Sequence, residues 1–293
     1  MMPWGSTRLR VVAAPVLWLV AALAATAWGG ERSQDECRKR AADFIGVAPG
    51  ELELRSYRGI LSSDRYPTLY VFLLPYPTDT GEEDYAGSGG RVTIEVNTQT
   101  GEVTNVEYDR RRYTKGTRQI GEAEAKENAT AYLKQHWRHF ARARFYWATK
   151  PFRPDATAGV PNLPAPEQWF RWVVEDANVR VGEASVRVNL TTGEVTAFTQ
   201  YYYPAEGLLP ARVTKQQAIN ATLSKLTDEQ RTKAVVQEAY LAPRWYKGQV
   251  RLQWVVYLKA PASMPPGYRM TPPMRTYGLQ LDAHTGEVYL EVK

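Results

Sequence analysis

The side chains able to do chemistry are few. His136 and His139 form the only close pair among three histidines. On a helix, residues three apart share a face and can hold a metal. Neither a His-Glu-x-x-His pattern nor a carboxylate at helical spacing accompanies them. The pair therefore reads as polar helix-end residues, whose cationic form suits the C-terminal dipole. His284 falls in a turn and reads as a solvated loop residue. Ser88, in Gly87-Ser-Gly-Gly90, has the look of a nucleophile loop. A nucleophile elbow joins a strand to a helix, whereas here a strand follows, so a flexible insertion is expected. Glu175 and Asp176 are neighbouring carboxylates after a strand-like run. They would serve a hydrolase if they converged in a cleft with perturbed pKa values. Cys37, the one cysteine, cannot form an internal disulfide and reads as a small buried apolar residue; only Arg38 and Lys39 adjoin it to lower its pKa. A Gly-rich phosphate loop followed by Lys-Ser/Thr is missing, and one cysteine precludes a Cys-based metal pattern. We expect no catalytic residue, no metal ligand and no cofactor.

The elements are more informative than the reactive groups. Three segments read alike: Val92-Thr-Ile-Glu-Val-Asn97-Thr-Gln-Thr100-Gly101-Glu102-Val103, Ser185-Val-Arg-Val-Asn189-Leu-Thr-Thr192-Gly193-Glu194-Val195, and Tyr277-Gly-Leu-Gln-Leu-Asp282-Ala-His-Thr285-Gly286-Glu287-Val288. Their turn glycines stand 92 and 93 residues apart, a domain-sized period. In each, apolar residues alternate as in a half-buried strand. Asn97, Asn189 or Asp282 opens the turn, where a short side-chain oxygen can accept an N–H two residues on. The glycine supplies positive φ, and a second alternating run completes a hairpin.

A helix signal precedes each hairpin. Ser33-Gln-Asp-Glu36 and Thr214-Lys-Gln-Gln217 are capping boxes, and Gly121 opens a stretch with Ala125, Ala129, Tyr132 and Leu133 on one face. Two further strand-like runs separate helix from hairpin: 52–57 and 69–74, 143–148 and 169–174, 235–241 and 250–258. Trp172-Val173-Val174 and Trp254-Val255-Val256 read as the same stretch, with Tyr70-Val71-Phe72 a looser match. The expected fold is α+β: three tandem modules, 31–109, 117–204 and 211–293, each a helix packed on a four-stranded antiparallel sheet. Residues 109–116 and 204–210 read as linkers; Gly- and Pro-rich 78–90, 153–166 and 261–273 read as loops.

Residues 1–27 read as a cleaved signal peptide: Arg8 and Arg10, an apolar run from Val11 to Ala25, then small residues through Ala27. The run is short of the roughly 20 residues a membrane span needs, so no stable span is expected after cleavage. Removing it lowers the net charge from +6 to +4, which suits a soluble exported protein with loose affinity for anionic surface polymer.

Helix, meander and closing hairpin ending Asp/Asn-x-x-Thr-Gly-Glu-Val resemble the PepSY domain of secreted thermolysin-like peptidase propeptides and bacterial envelope proteins. The resemblance spans nearly all of the chain after residue 30, three times over. It implies a cystatin-like sheet wrapped on a helix, an extracytoplasmic location (secreted, periplasmic or cell surface) and, as in the propeptides, inhibition or assisted folding of a peptidase. With no catalytic domain attached, a separate partner is implied.

Remaining patches read as structural. The basic-aromatic run 134–147 alternates through Arg142 and Arg144 like a strand with one wet face, and export argues against nucleic acid. Arg110-Arg111-Arg112 reads as a solvated run, and Tyr201-Tyr202-Tyr203 as packing between modules. The Asn128, Asn189 and Asn220 sequons carry little weight. The chain reads as an exported, non-catalytic binding or regulatory protein whose partner is a protein, such as a peptidase, or an anionic cell-surface polymer. A structural spacer of the envelope and a hydrolase with a site between modules are the rival readings.

Overall fold

Capping chemistry starts the helices where the sequence places it. In α1 (Gln34–Ile45) the Ser33 hydroxyl accepts the Glu36 N–H at 3.2 Å and the Glu36 carboxylate accepts the Ser33 N–H at 2.9 Å. Gly46, at φ 77°, ends this helix. A short α2 (Asp109–Tyr113) precedes α3 (Glu122–His136), which starts at Gly121 without a side-chain cap. Thr214 and Gln217 form the reciprocal box that starts α4 (Lys215–Leu223). A further box, Thr227 with Gln230, starts α5 (Asp228–Thr232), which the sequence reading missed. The buried Gln230 amide donates to Pro261 O at 2.8 Å, pinning α5 to the sheet. Helices α1 and α3 bury small residues, Cys37, Ala41 and Ala42, and Ala125 and Ala129 with Leu133.

The computed structural model describes residues 31–58, 67–75, 91–152, 165–262 and 272–292. All but Glu31 belong to one compact body, Arg32–Lys293. The leader 1–27, Ser88, the stretch 78–90 and most of the loops 153–166 and 261–273 lie outside the described residues. Among those described, no helix is long and apolar enough to cross a membrane.

The protein is mixed α+β, with few helices and one large, mostly antiparallel sheet of twelve strands. The strands are β1 (Glu53–Arg58), β2 (Leu69–Pro75), β3 (Arg91–Asn97), β4 (Val103–Tyr108), β5 (Arg144–Ala148), β6 (Glu167–Asp176), β7 (Val179–Asn189), β8 (Val195–Tyr202), β9 (Val235–Tyr246), β10 (Gln249–Pro261), β11 (Met274–Asp282) and β12 (Val288–Val292). Their order is β1-β2-β3-β4-β8-β7-β9-β10-β11-β12, with β5 and β6 branching from β7. Separate four-stranded sheets were expected; the strands instead join. β4 pairs antiparallel with β8 from Asn105↔Thr199 to Glu107↔Ala197, and β7 meets β9 in a parallel rung, Val179↔Leu241. Hairpin edges carry unpaired N–H and C=O groups, and joining edge to edge satisfies them.

Two apolar cores lie on the helix side. One runs from Cys37, Phe72 and Ile94 through Ala129 and Leu133 to Trp172 and Phe198; the other gathers Ala218, Trp254, Leu258 and Leu279.

The three turns are built alike. Asn97 Oδ1 accepts N–H groups from Gln99 and Thr100, at 2.9 and 3.1 Å. Asn189 Oδ1 accepts from Thr191 and Thr192, at 2.8 and 3.3 Å. Asp282 Oδ1 accepts from His284 and Thr285, each at 2.8 Å. Gly101, Gly193 and Gly286 follow at φ 69°, 79° and 80°, the left-handed region a side chain would resist. The residue after each turn opener tethers a helix start: Arg32, Ile120 and Val213 donate N–H to Thr98 O, Leu190 O and Ala283 O, at 2.7, 2.7 and 2.9 Å.

Register corrects one alignment. Leu69, Glu167 and Gln253 stand opposite Asn97, Asn189 and Asp282. Tyr70-Val71-Phe72 and Trp254-Val255-Val256 therefore occupy equivalent places, but their counterpart in β6 is Gln168-Trp169-Phe170. Trp172 lies further along, opposite Ala184.

The expected linker 109–116 is a stapled segment. Arg111 lies over the Tyr108 ring at 4.1 Å and donates to Val195 O at 3.3 Å; Arg112 pairs with buried Glu167 at 3.3 Å. Arg111 and Arg112 have these partners while remaining 38% and 35% exposed, so the run is both anchored and solvated. The Tyr201 ring lies 4.0 Å under the Arg244 guanidinium, and Arg180 lies over Tyr240 at 3.6 Å while pairing with Glu238 at 2.6 Å. These contacts reinforce the β7–β9 junction, as expected of a packing role for Tyr201.

Candidate binding groove

Helices α1 and α3 lie over neighbouring parts of the sheet, and an open groove of about 720 Å³ runs between them above the β4–β8 seam. Its floor is aromatic. The Phe44 and Tyr132 rings both approach Phe198 at 5.6 Å. His136 lies against Phe44 at 4.6 Å and Tyr132 at 4.2 Å. The Tyr108 and Tyr132 hydroxyls are 3.2 Å apart. Burial foremost, with the Tyr108 partner, pushes the Tyr132 phenol up, so it stays protonated.

The rim carries charge. Arg40, Arg111 and Arg138 face Asp43 and Glu102. Arg138 pairs with Glu102 at 2.7 Å. Burial raises the Glu102 pKa, while Arg138 and Arg40 draw it back. A Cβ at Gly101 would sit 2.6 Å from Arg32 Nε and 2.7 Å from Arg40 Nε, so glycine here admits the two guanidinium groups as well as the turn. Asp43 is held by Lys39 at 2.7 Å. Gln200 donates to Val103 O at 2.7 Å, and its Oε1 is buried without a donor among the described residues.

The histidines do not meet as ligands. His136 belongs to the aromatic floor; His139 stacks flat on Tyr202 at 3.6 Å and 9°. Its Nε2 accepts from Arg138 Nε at 3.0 Å. Burial first, then Arg138 and Arg142, bring the His139 pKa down to about 4, and burial also lowers that of His136. The expected cationic helix-end pair is therefore corrected: desolvation and adjacent arginines outweigh the dipole, and both rings are neutral at neutral pH.

Other candidates fall elsewhere. Asp176 accepts from Arg142 Nη2 on both carboxylate oxygens, at 2.6 and 2.7 Å, and Glu175 pairs with Arg144 at 2.8 Å. Both are more than a third exposed, so they are surface ion pairs and not a shared buried site. Arg142 itself lies in a 3-10 turn, so strand alternation begins only at Arg144. His284 faces Pro210 O at 3.1 Å in its turn. Cys37 is buried, and burial raises its pKa. Asn189 is fully buried and Asn128 donates to Gly193 O at 2.9 Å, so two sequons serve the fold. Among the described residues no three metal-capable side chains gather. Tyr132 read as helix core in the sequence; Phe44 and Tyr132 stand in the last turns of α1 and α3, where they line the groove. Arg40 had no sequence signal beyond charge, and Arg138 stood out only as part of the basic-aromatic run 134–147.

Fold and groove define a mixed α+β protein with an aromatic-floored, cation-rimmed groove. The Bacillus megaterium YpeB C-terminal domain is similar over 90% of this chain and 99% of that one, at 17% identity and a TM-score of 0.41. An uncharacterized protein from Eubacterium rectale is similar over 88% and 81%, at 12% identity and a TM-score of 0.44. No family model matches the chain, and no curated protein does.

Proposed function

We propose that the protein is an exported, non-catalytic binding protein built from three copies of a PepSY-like module, 31–109, 117–204 and 211–293. The groove between α1 and α3 holds a segment of a separate secreted or envelope protein, a peptidase being the favoured class. The observation that carries the binding role is the open aromatic floor, Phe44, Tyr132 and His136, beneath the rim of Arg40, Arg111 and Arg138. Aromatic residues and arginines of this kind dominate protein recognition. The repeat is supported by three turns with the same side-chain acceptor and the same helix tether. Export is supported by the leader-like residues 1–27.

A photo-reactive side chain in place of Gln135, at the groove wall, tests the binding role. At physiological salt it should cross-link one protein from envelope extract, and Phe44→Asp should abolish that product while the thermal transition persists. Diffuse or salt-sensitive labelling, or a product indifferent to Phe44→Asp, would refute it.

A further inference from the structure

We propose that the helix-free face of the sheet carries a cleft for an extended, neutral, β-linked oligosaccharide. The cleft, about 260 Å³, is lined by Trp147, Trp169, Arg171, Glu183, Ser185 and Thr199. Neighbours in the same strands, Phe145, Phe170, Trp172, Val186 and Phe198, pack into the core, so alternation sends Trp169, Arg171, Glu183, Ser185 and Thr199 to the opposite face, and the bulge between Phe145 and Trp147 brings Trp147 into the same row.

Register lines several of them up. Trp147↔Arg171, Arg171↔Ser185, Ser185↔Thr199 and Thr199↔Asn105 are successive cross-strand partners. They form one row across β5, β6, β7, β8 and β4. At about 4.8 Å between strands the row extends about 19 Å, the reach of a short run of sugar rings and not of one monosaccharide. Short hydroxyl side chains, Ser185 and Thr199, make a low floor, while Trp169 and Glu183 rise beside it.

The chemistry favours sugar hydroxyls. Each hydroxyl both donates and accepts, so vicinal pairs are met best by a fixed donor beside a fixed acceptor. Arg171 and Glu183 are such a pair, held at 3.3 Å. Arg171 is further fixed over the Trp147 ring at 4.7 Å, and the Trp169 backbone N–H donates to Thr149 Oγ1 at 3.0 Å, so the strand that carries the Trp169 wall is held in place. The indoles offer apolar surface to the C–H faces of pyranose rings. The lining carries one guanidinium and one carboxylate, with Arg180 Nη1 also 3.8 Å from Glu183 Oε2, so neither sign dominates the cleft surface, which fits a neutral chain better than an acidic one. This site is independent of the helix-side groove.

Titration calorimetry with cellohexaose and chitohexaose, against maltohexaose, which curls, tests the cleft. One β-linked hexaose should bind saturably and quench tryptophan fluorescence. Trp147→Ala and Glu183→Gln should each weaken binding about tenfold or more, about 1.4 kcal/mol, with circular dichroism unchanged. Should Trp147→Ala fail to fold, Thr199→Val keeps the shape, removes one hydroxyl, and should weaken binding likewise. No binding of either β-linked probe at millimolar concentration, affinity unchanged in the folded variants, or saturable binding only of an acidic peptide would overturn the proposal.

Discussion

Replacing one nitrogen by one oxygen at the turn openers should have unequal consequences in different copies, and Asn189→Asp is the sharpest case. Asn189 is fully buried. Its Oδ1 accepts from the Thr191 N–H and hydroxyl, at 2.8 and 2.9 Å, roles a carboxylate would fill. Its Nδ2 donates to Arg111 O at 2.7 Å and Thr114 O at 2.9 Å, fastening segment 109–114 to the turn. Aspartate would turn both donated bonds into oxygen facing oxygen. Arg111 O would lose its donor, at about 1–3 kcal/mol, while Thr114 O, which also faces the Thr191 hydroxyl at 3.3 Å, adds less, so the variant should lose about 2–4 kcal/mol. Asn97→Asp keeps the two accepted N–H bonds, and no carbonyl is donated to by Asn97 Nδ2 among the described residues, so it should stay within about 1 kcal/mol of wild type. Urea unfolding of both variants at neutral pH, followed by tryptophan fluorescence, measures the difference. Acidification should narrow the Asn189→Asp deficit, because a protonated carboxyl regains one donor. Equal stability of the two variants at neutral pH would refute the assignment of Asn189 as the staple of 109–114.

Two titrations offer further checks. The folded pKa of His139 is about 4 against about 6.5 in an unfolded chain. The unfolded state therefore binds more protons between these values, and stability should fall as pH drops from about 6.5 to about 4, by on the order of 2–3 kcal/mol. His139→Phe should lack that acid-side loss; parallel pH profiles would contradict the buried neutral ring. Burial opposes the Asp282 charge, but hydrogen bonds from Tyr289 at 2.5 Å and from the Thr285 and His284 N–H groups outweigh it and lower its pKa. Its stabilisation is thus present above the ordinary carboxylate range and lost as pH falls through the lowered pKa. Asp282→Asn should cost about 1–3 kcal/mol at neutral pH and show a shallower acid transition; an unchanged acid transition would count against it.

Local chemistry was legible in the sequence, and long-range pairing was not. The turn openers, their glycines and two capping boxes are fixed by residues three to five apart, so the three hairpins could be read directly. The merging of strands into one sheet could not, because Val106 and Phe198 alternate in β4 and β8 whether the edge faces solvent or another strand. The linker reading of 109–116 failed because its anchors, Glu167 and Asn189, lie more than fifty residues away. The Trp-Val-Val match misled because β6 carries its tryptophan further from the turn register than β10 does. The groove depends on where α1 and α3 come to rest over a joined sheet, so its Tyr132 looked like ordinary core.

The meeting of β7 with β9 sets how stiff the whole body is. Among the described residues that ladder has a lone rung, Val179↔Leu241, worth roughly 1 kcal/mol as a hydrogen bond. Resistance to tilting of the C-terminal third then comes chiefly from Arg180, which stacks on Tyr240 and pairs with Glu238 beside the Tyr146 hydroxyl, and from Arg244 on the Tyr201 ring. Compliance is thereby governed by two side chains and not by a backbone ladder, so single substitutions there can retune the spring without redrawing a strand.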